Sequence, residues 1–263
     1  MKKTILITGA GSGIGKDTAL ELARRGHHVI ATTETEAQSI KLQNEIQSLN
    51  LQMVIYKLDI TIEEDRRKIE NHDLDVLINN AGIGESGPLA EIDINKVRHN
   101  FEVNVFSAFE LSQLALKKMF RKQQGTIIFI SSLAGRITMP FLAPYCMSKF
   151  ALTAGAESLR AEIHKISNTI HVSLIEPGGY HTGFNQKNIA KKYTWMNKDS
   201  VYYPMLDQIK ASEERQFKFV EQTSTASIVT KIVKAAEAKK PGLRYSAPWW
   251  QAIGTQILRM FGK

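Results

Sequence analysis

The sequence predicts an α/β fold: a doubly wound parallel sheet in three α/β/α layers. Two observations carry this reading. Short β-branched apolar runs alternate from end to end with segments of helical period, the pattern left by repeated βα units. The stretch TGAGSGIG, Thr8 to Gly15, closes the first of those runs and opens the first helical segment, where backbone must turn sharply and approach something closely.

Taken in order, Thr4-Ile5-Leu6-Ile7 reads as the first strand, and the helix after Gly13 runs to Arg25, with Gly26 as its stop. Lys2 and Lys3 before an apolar run superficially suggest a secretory signal, but glycines interrupt it at once and no small-residue cleavage pattern follows, so a strand is the better reading. His28–Ala31, Met53–Leu58, Val76–Ile78, Thr126–Ile130 and His171–Ile175 supply strands two to six, each bounded by polar residues or glycine as buried parallel strands are. The longest helices fall within Ile94–Lys122 and Met147–Lys165. The segment from Gly178 to about Arg215 lacks regular period, is rich in aromatics and lysines, and reads as a substrate lid at about 179–215. A tail at about 247–263 places Trp250, Ile253, Ile257 and Phe261 near one helical face. Such a helix could rest on a membrane surface, but packing on the body or on a second subunit is the favoured expectation.

Length and composition bound the rest. A chain of 263 residues can bury one substantial core, so a single domain spanning 1–263 is expected. With 43% apolar and 23% charged residues it falls among globular rather than disordered or membrane-spanning chains, and no apolar run nears the roughly 20 residues of a bilayer span. Cys146 is the single cysteine, which excludes an intrachain disulfide and a cysteine-cluster metal site. No metal is expected, and a reducing cytoplasm agrees with this cysteine usage. The net charge of +8 suits an anionic ligand, yet the basic residues are dispersed and accompany no nucleic-acid motif, so no nucleic-acid partner is expected.

Lying between a strand and a helix, the glycine turn is placed where a helix N-terminus aims unpaired N–H groups at a bound phosphate. Its glycines let a dinucleotide pyrophosphate come close. Tyr145 and Lys149 are four apart and share one helical face. An ammonium there would stabilise a tyrosine phenolate and lower its pKa from near 10, giving the tyrosine a proton to trade.

The spacing Gly9, Gly13, Gly15 is followed in order by Asp59, by Asn79-Asn80-Ala81-Gly82, by Ser132 with Tyr145-Cys-Met-Ser-Lys149, and by Pro177-Gly178 with Thr182. In these motifs the chain resembles the short-chain dehydrogenase/reductase family, in its single-domain branch, over nearly its whole length. The resemblance implies a Rossmann fold and an NAD(P)-dependent oxidoreductase moving hydride between nicotinamide and a secondary alcohol or carbonyl. It implies Tyr145 as general acid/base, Lys149 also holding the nicotinamide ribose, Ser132 orienting the substrate, and Asn104 helping to hold a relay water. Ser131 is adjacent, but the spacing of thirteen residues to Tyr145 favours Ser132.

For the cofactor the resemblance implies contacts from Gly9, Ser12, Gly13, Ile14 and Gly15 to the phosphates, from Asp59 and Ile60 to adenine, from Asn80, Ala81 and Gly82 to ribose, and from Tyr145, Lys149, Pro177, Gly178 and Thr182 around nicotinamide. Tyr180 departs from the family's small aliphatic residue. Thr33 occupies the place at the end of strand two where NAD-preferring relatives carry an aspartate; Glu34 follows, and no arginine or lysine stands at Ser12 or beside Thr33. The choice between NADP and NAD therefore stays open, with a lean to NADP. Ile83, Phe141, Tyr180, Phe184, Tyr193 and Trp195 are among the expected walls of a pocket for a mid-sized or large apolar substrate. Homodimers or homotetramers are what the resemblance implies. A catalytically silent dinucleotide sensor is the competing class, and an intact tetrad argues against it; the sugar-nucleotide epimerase branch is disfavoured by chain length and glycine spacing.

Overall fold

Alternation along the strands sorts the apolar residues into two cores. In β1 (Thr4–Ile7), Ile5 and Ile7 face one side with Val29 and Ala31 of β2 (His28–Thr33), while Leu6 faces the other with Ile30. The computed structural model describes residues 1–262, apart from the side chains at 187, 189 and 216–219; Lys263, the end of the expected tail, lies outside the described residues. Five further strands complete the sheet: β3 (Val54–Lys57), β4 (Val76–Asn79), β5 (Gly125–Ile130), β6 (Ile170–Pro177) and β7 (Arg244–Ala247). All pairings are parallel, in the order β3-β2-β1-β4-β5-β6-β7. The chain winds outward through β2 and β3, then returns to β4 on the other side of β1. This reversal opens a crevice at the carboxyl ends of β1 and β4, where ligands of open α/β sheets bind.

On one face lie α1 (Gly13–Arg24), α2 (Glu36–Ser48) and α9 (Ala226–Glu237), whose Leu22, Leu42 and Ile232 pack on the sheet. The short α3 (Glu63–Arg67) precedes β4. On the opposite face α5 (Ser107–Lys122) turns Ala108, Leu111, Ala115 and Met119 inward at helical spacing, beside Leu152, Ala156 and Ile163 of α6 (Ala143–His164). Within Ile94–Lys122 the single expected helix is instead α4 (Ile94–Phe101), a π-helical turn (Glu102–Phe106) and α5. The helix expected from Met147 begins at Ala143, with Pro144 in its first turn, where a missing N–H costs nothing.

Three further elements depart from the pattern read in the sequence. The segment expected to be irregular folds into α7 (Phe184–Trp195) and the first part of α8 (Leu206–Val220). β7 was not expected at all: Arg-Tyr-Ser-Ala carries no apolar run, and it becomes a strand because Arg244 and Ser246 both bond the fully buried Glu176 of neighbouring β6. α10 (Trp249–Met260) ends the described chain. Among the described residues, no helix is long and apolar enough to cross a membrane.

Candidate active site

The glycine turn is braced from behind by the loop that closes β4. Gly9 and Gly13 adopt φ of +66° and +55°, the left-handed region glycine enters freely. A Cβ on Gly9 would stand 2.7 Å from the Ala81 Cα, so bare backbone is required there. The Thr8 hydroxyl accepts the backbone N–H groups of Asn80 (3.1 Å) and Ala81 (3.0 Å), and the Asn80 amide donates to the Thr8 and Gly9 carbonyls at 2.9 and 3.1 Å. Ser12 stands at the N-cap of α1 without a side-chain capping bond, and the first turn contains no acidic residue. That helix terminus therefore keeps donors and positive potential for an external anion, beside a turn stripped of side chains, and the cradle fits a dinucleotide pyrophosphate.

A second group of residues gathers at the ends of β5 and β6. The Lys149 Nζ lies 5.6 Å from the Tyr145 ring centroid and donates to the Ile130 carbonyl at 2.9 Å. Burial alone lowers the Lys149 pKa to about 8. Tyr145 lies beneath Phe184 of α7, ring centroids 5.8 Å apart, and burial pushes its phenol up to about 12, while the neighbouring Ser132 hydroxyl pulls it down. The expectation that Lys149 lowers the phenol's pKa is thus not met. Desolvation disfavours the phenolate and the ammonium alike, and it is the largest influence on both groups. At neutral pH the phenol carries its proton.

Ser132 caps the short 3₁₀ turn Leu133–Gly135 by accepting the Ala134 N–H at 3.1 Å, and its hydroxyl lies 3.5 Å from the Pro177 carbonyl oxygen. Ser131 points the other way, 2.7 Å from the Thr153 hydroxyl under α6. Asn104 sits in the π-helical turn, a local widening that recurs at functional sites. Its side chain clamps Ile83 by both backbone groups, at 2.9 and 2.8 Å, and donates to Ser148, which donates in turn to the Tyr145 carbonyl at 2.8 Å. A Cβ on Gly82 would come within 3.1 Å of the Asn104 amide oxygen and 3.7 Å of the Lys149 Nζ. Asn104, Ser132 and the Tyr145–Lys149 pair, from three separate stretches of sequence, therefore meet beside the glycine cradle.

The family model for short chain dehydrogenases matches residues 3–193. The chain belongs to the short-chain dehydrogenase family. The 3-ketodihydrosphingosine reductase of Bacteroides thetaiotaomicron is 30% identical over 261 residues, covering 98% of this chain and 90% of that one. Among solved structures, a short-chain dehydrogenase from Streptomyces avermitilis superposes over all of this chain and 94% of its own, with a TM-score of 0.79 at 23% identity. A 7α-hydroxysteroid dehydrogenase complexed with NADH and 7-oxo glycochenodeoxycholic acid is 30% identical, covering 70% of this chain and 75% of its own, with a TM-score of 0.65.

The other expected positions of this short-chain dehydrogenase fall as follows. Ile14 and Gly15 form the first turn of α1. Thr33 is fully buried, its hydroxyl 2.6 Å from that of Ser39 and donating to the Thr35 carbonyl, while Glu34 is exposed. Asp59 binds Thr61 through its backbone N–H and its hydroxyl, and Ile60 is buried beside it. Gly178 donates its N–H to the Ala247 carbonyl, tying the loop after β6 to β7. A Cβ on Gly13 would come within 3.1 Å of the Thr182 Cβ, so that loop lies over the glycine turn.

Tyr180 is a correction to the expected pocket lining. It is buried in the core under α9, with its hydroxyl 2.8 Å from that of Ser227, because the chain turns inward at the Tyr180–Gln222 bridge. Tyr193 is likewise taken up within the lid by Glu213. Phe184 remains over Tyr145, and Phe141 meets Tyr202 edge-on at 5.3 Å. The sequence reading gave no role to Thr8 or Ser148. Thr8 opens the glycine motif and was open to recognition; Ser148 connects Asn104 to Tyr145 only through contacts between separate helices.

Proposed function

We propose that this chain is an NADP-dependent oxidoreductase of ketones and secondary alcohols on a large apolar framework, with Tyr145 as the general acid in reduction. One observation supports it above the rest: the Tyr145 phenol stands beside the Ser132 hydroxyl and the buried Lys149, with the Phe184 ring over it. When bound, a nicotinamide dinucleotide supplies or accepts the hydride. The chain's own residues do the remainder. The Gly9–Gly15 turn and the N-terminus of α1 hold phosphate, the Asn80–Gly82 backbone lines the ribose, and Lys149 orients the nicotinamide end. Ser132 donates to the substrate oxygen and fixes it against the Tyr145 hydroxyl, which delivers its proton as negative charge develops there. In the oxidative direction Tyr145 accepts the alcohol proton as the phenolate, the form left when it has given up its own proton.

Thr33 supports NADP, because its uncharged side chain, committed to Ser39 and Thr35, puts no carboxylate at that position to repel a 2′-phosphate; the exposed Glu34 that follows is the feature that argues for NAD. Phe184, Phe141, Tyr202 and Ile83 support an apolar framework in the substrate. The 3-ketodihydrosphingosine reductase and the enzyme holding a 7-oxo bile acid both act on or bind large ketones, which agrees with it. The test is Tyr145→Phe, assayed with NADPH against long-chain and polycyclic ketones. Turnover is expected to fall by about 10²–10⁴-fold with NADPH affinity nearly unchanged; substantial residual turnover refutes the assignment.

A further inference from the structure

α10 is turned inside out. The residues it buries are Gln251 and Thr255, 9% and 5% exposed, whereas Trp249, Ile253, Ile257, Met260 and Phe261 face outward, with Trp249 at 72% and Phe261 at 80%. Trp249 rather than Trp250 heads this stripe, at spacings of four, four, three and one. Polar bonds fix the orientation. The Gln251 amide oxygen accepts the Gly179 N–H at 2.8 Å, its NH₂ donates to the Val220 carbonyl at 2.7 Å, and Arg259 donates to the Arg136 carbonyl at 3.3 Å. A contiguous apolar face held outward by a polar anchor is an interaction surface.

Charge indicates what covers it. No acidic residue follows Glu237, whereas Lys239, Lys240, Arg244, Arg259 and Lys263 do. Beside the stripe, Gln256 and Arg259 of α10 line a cleft of about 320 Å³ together with Arg136, Arg244 and Glu157. Arg136 and Arg244 share the buried Glu176, and Arg244 also pairs with Glu157; among the described residues Arg259 has no carboxylate partner. A second copy docked on a two-fold axis would set this acid-free cationic segment against itself. An anionic lipid surface complements both features at once.

We propose that α10 docks the protein on an anionic phospholipid membrane, with the Trp249–Phe261 stripe at the acyl boundary and Arg259 at the phosphates of the headgroups. The docking holds whatever the substrate. Because Gln251 ties α10 to Gly179 and Val220, docking would also set the lid beside the lipid.

The full-length protein is sedimented with vesicles of phosphatidylcholine alone and of phosphatidylcholine mixed with phosphatidylglycerol, and tryptophan emission is recorded in parallel. Wild type is expected to pellet with the phosphatidylglycerol vesicles, with blue-shifted emission, and to be released in part by raised salt. The I253Q/I257Q protein is expected to bind at least tenfold more weakly with its unfolding curve unchanged, and Arg259→Gln, an independent variant, to lose the salt-sensitive part. Absence of pelleting with anionic vesicles overturns the proposal, as does equal binding by I253Q/I257Q. So does sedimentation velocity showing that the stripe joins two copies, which I253Q/I257Q separates, with no lipid binding.

Discussion

Replacing Thr8 with valine preserves the volume and branching of the side chain and deletes one oxygen. That oxygen accepts the N–H groups of Asn80 and Ala81 at 3.1 and 3.0 Å, and Thr8 is 1% exposed, so a valine leaves two N–H groups facing apolar carbon. A buried donor left unpaired costs about 1–3 kcal/mol. The Asn80 amide still reaches the Thr8 and Gly9 carbonyls, so the loop can shift without detaching and recover part of the loss. The net destabilisation is expected to be about 3 kcal/mol, a fall in Tm of about 6–12 °C for a chain of this size. Because the same loop braces the glycine turn, nicotinamide dinucleotide affinity should fall at least tenfold. Urea unfolding and fluorescence titration of wild type, Thr8→Val and Thr8→Ser measure both, and the serine variant, which keeps the oxygen, should recover most of each loss. A valine variant within about 0.5 kcal/mol of wild type would refute the reasoning, since the two N–H groups would then have found other acceptors.

Three other outcomes follow from the buried charges. Lys149, lowered by burial to about 8, is protonated in both folded and unfolded chains below that pH, so its burial penalty is felt in full there. Between pH 8 and about 10.5 the folded state releases the proton first, and stability rises with pH. Relative to Lys149→Met, wild type should therefore gain about 3 kcal/mol across that window, read by unfolding at a series of pH values; a pH-independent difference contradicts it. With Tyr145 raised to about 12, ketone reduction should hold level to about pH 9 while alcohol oxidation climbs with pH, and steady-state rates in both directions decide this. Glu176→Gln leaves Arg136 and Arg244 without the carboxylate they share, and should destabilise by about 3–5 kcal/mol in urea unfolding; a loss under 1 kcal/mol would mean that the pair is solvated.

Much of the architecture was legible because it rests on local pattern. β1 matches its expected bounds, and β2 to β6 lie where β-branched runs of four to eight residues stand between turns. Tyr145 and Lys149 share a helix face by spacing alone, and Gly9 and Gly13 mark backbone that only glycine adopts without strain. Ser131 and Ser132 were separable only by spacing; the fold separates them physically, sending one under α6 and the other towards Tyr145. β7 was illegible, because its four residues are polar enough to read as a loop and become a strand only through a carboxylate some seventy positions earlier.

The amino-acid sequence by itself determined six of the sheet's seven strands, the glycine cradle and the pairing of Tyr145 with Lys149 on one helix face, while the family resemblance pointed to Asn104 and Ser132. The strands, the cradle and the Tyr145–Lys149 pair are written in short-range periodicity or spacing, which a single segment carries without reference to the others. The tertiary structure alone decided that burial raises rather than lowers the Tyr145 pKa, that Tyr180 belongs to the core rather than the pocket, and that α10 faces its apolar residues outward. Those outcomes depend on which distant atoms remove water from a group: Phe184 over Tyr145, Ser227 against Tyr180, and Gly179 and Val220 holding Gln251. Desolvation and hydrogen-bond pairing across the fold are properties of neighbours in space, and spacing along the chain does not contain them.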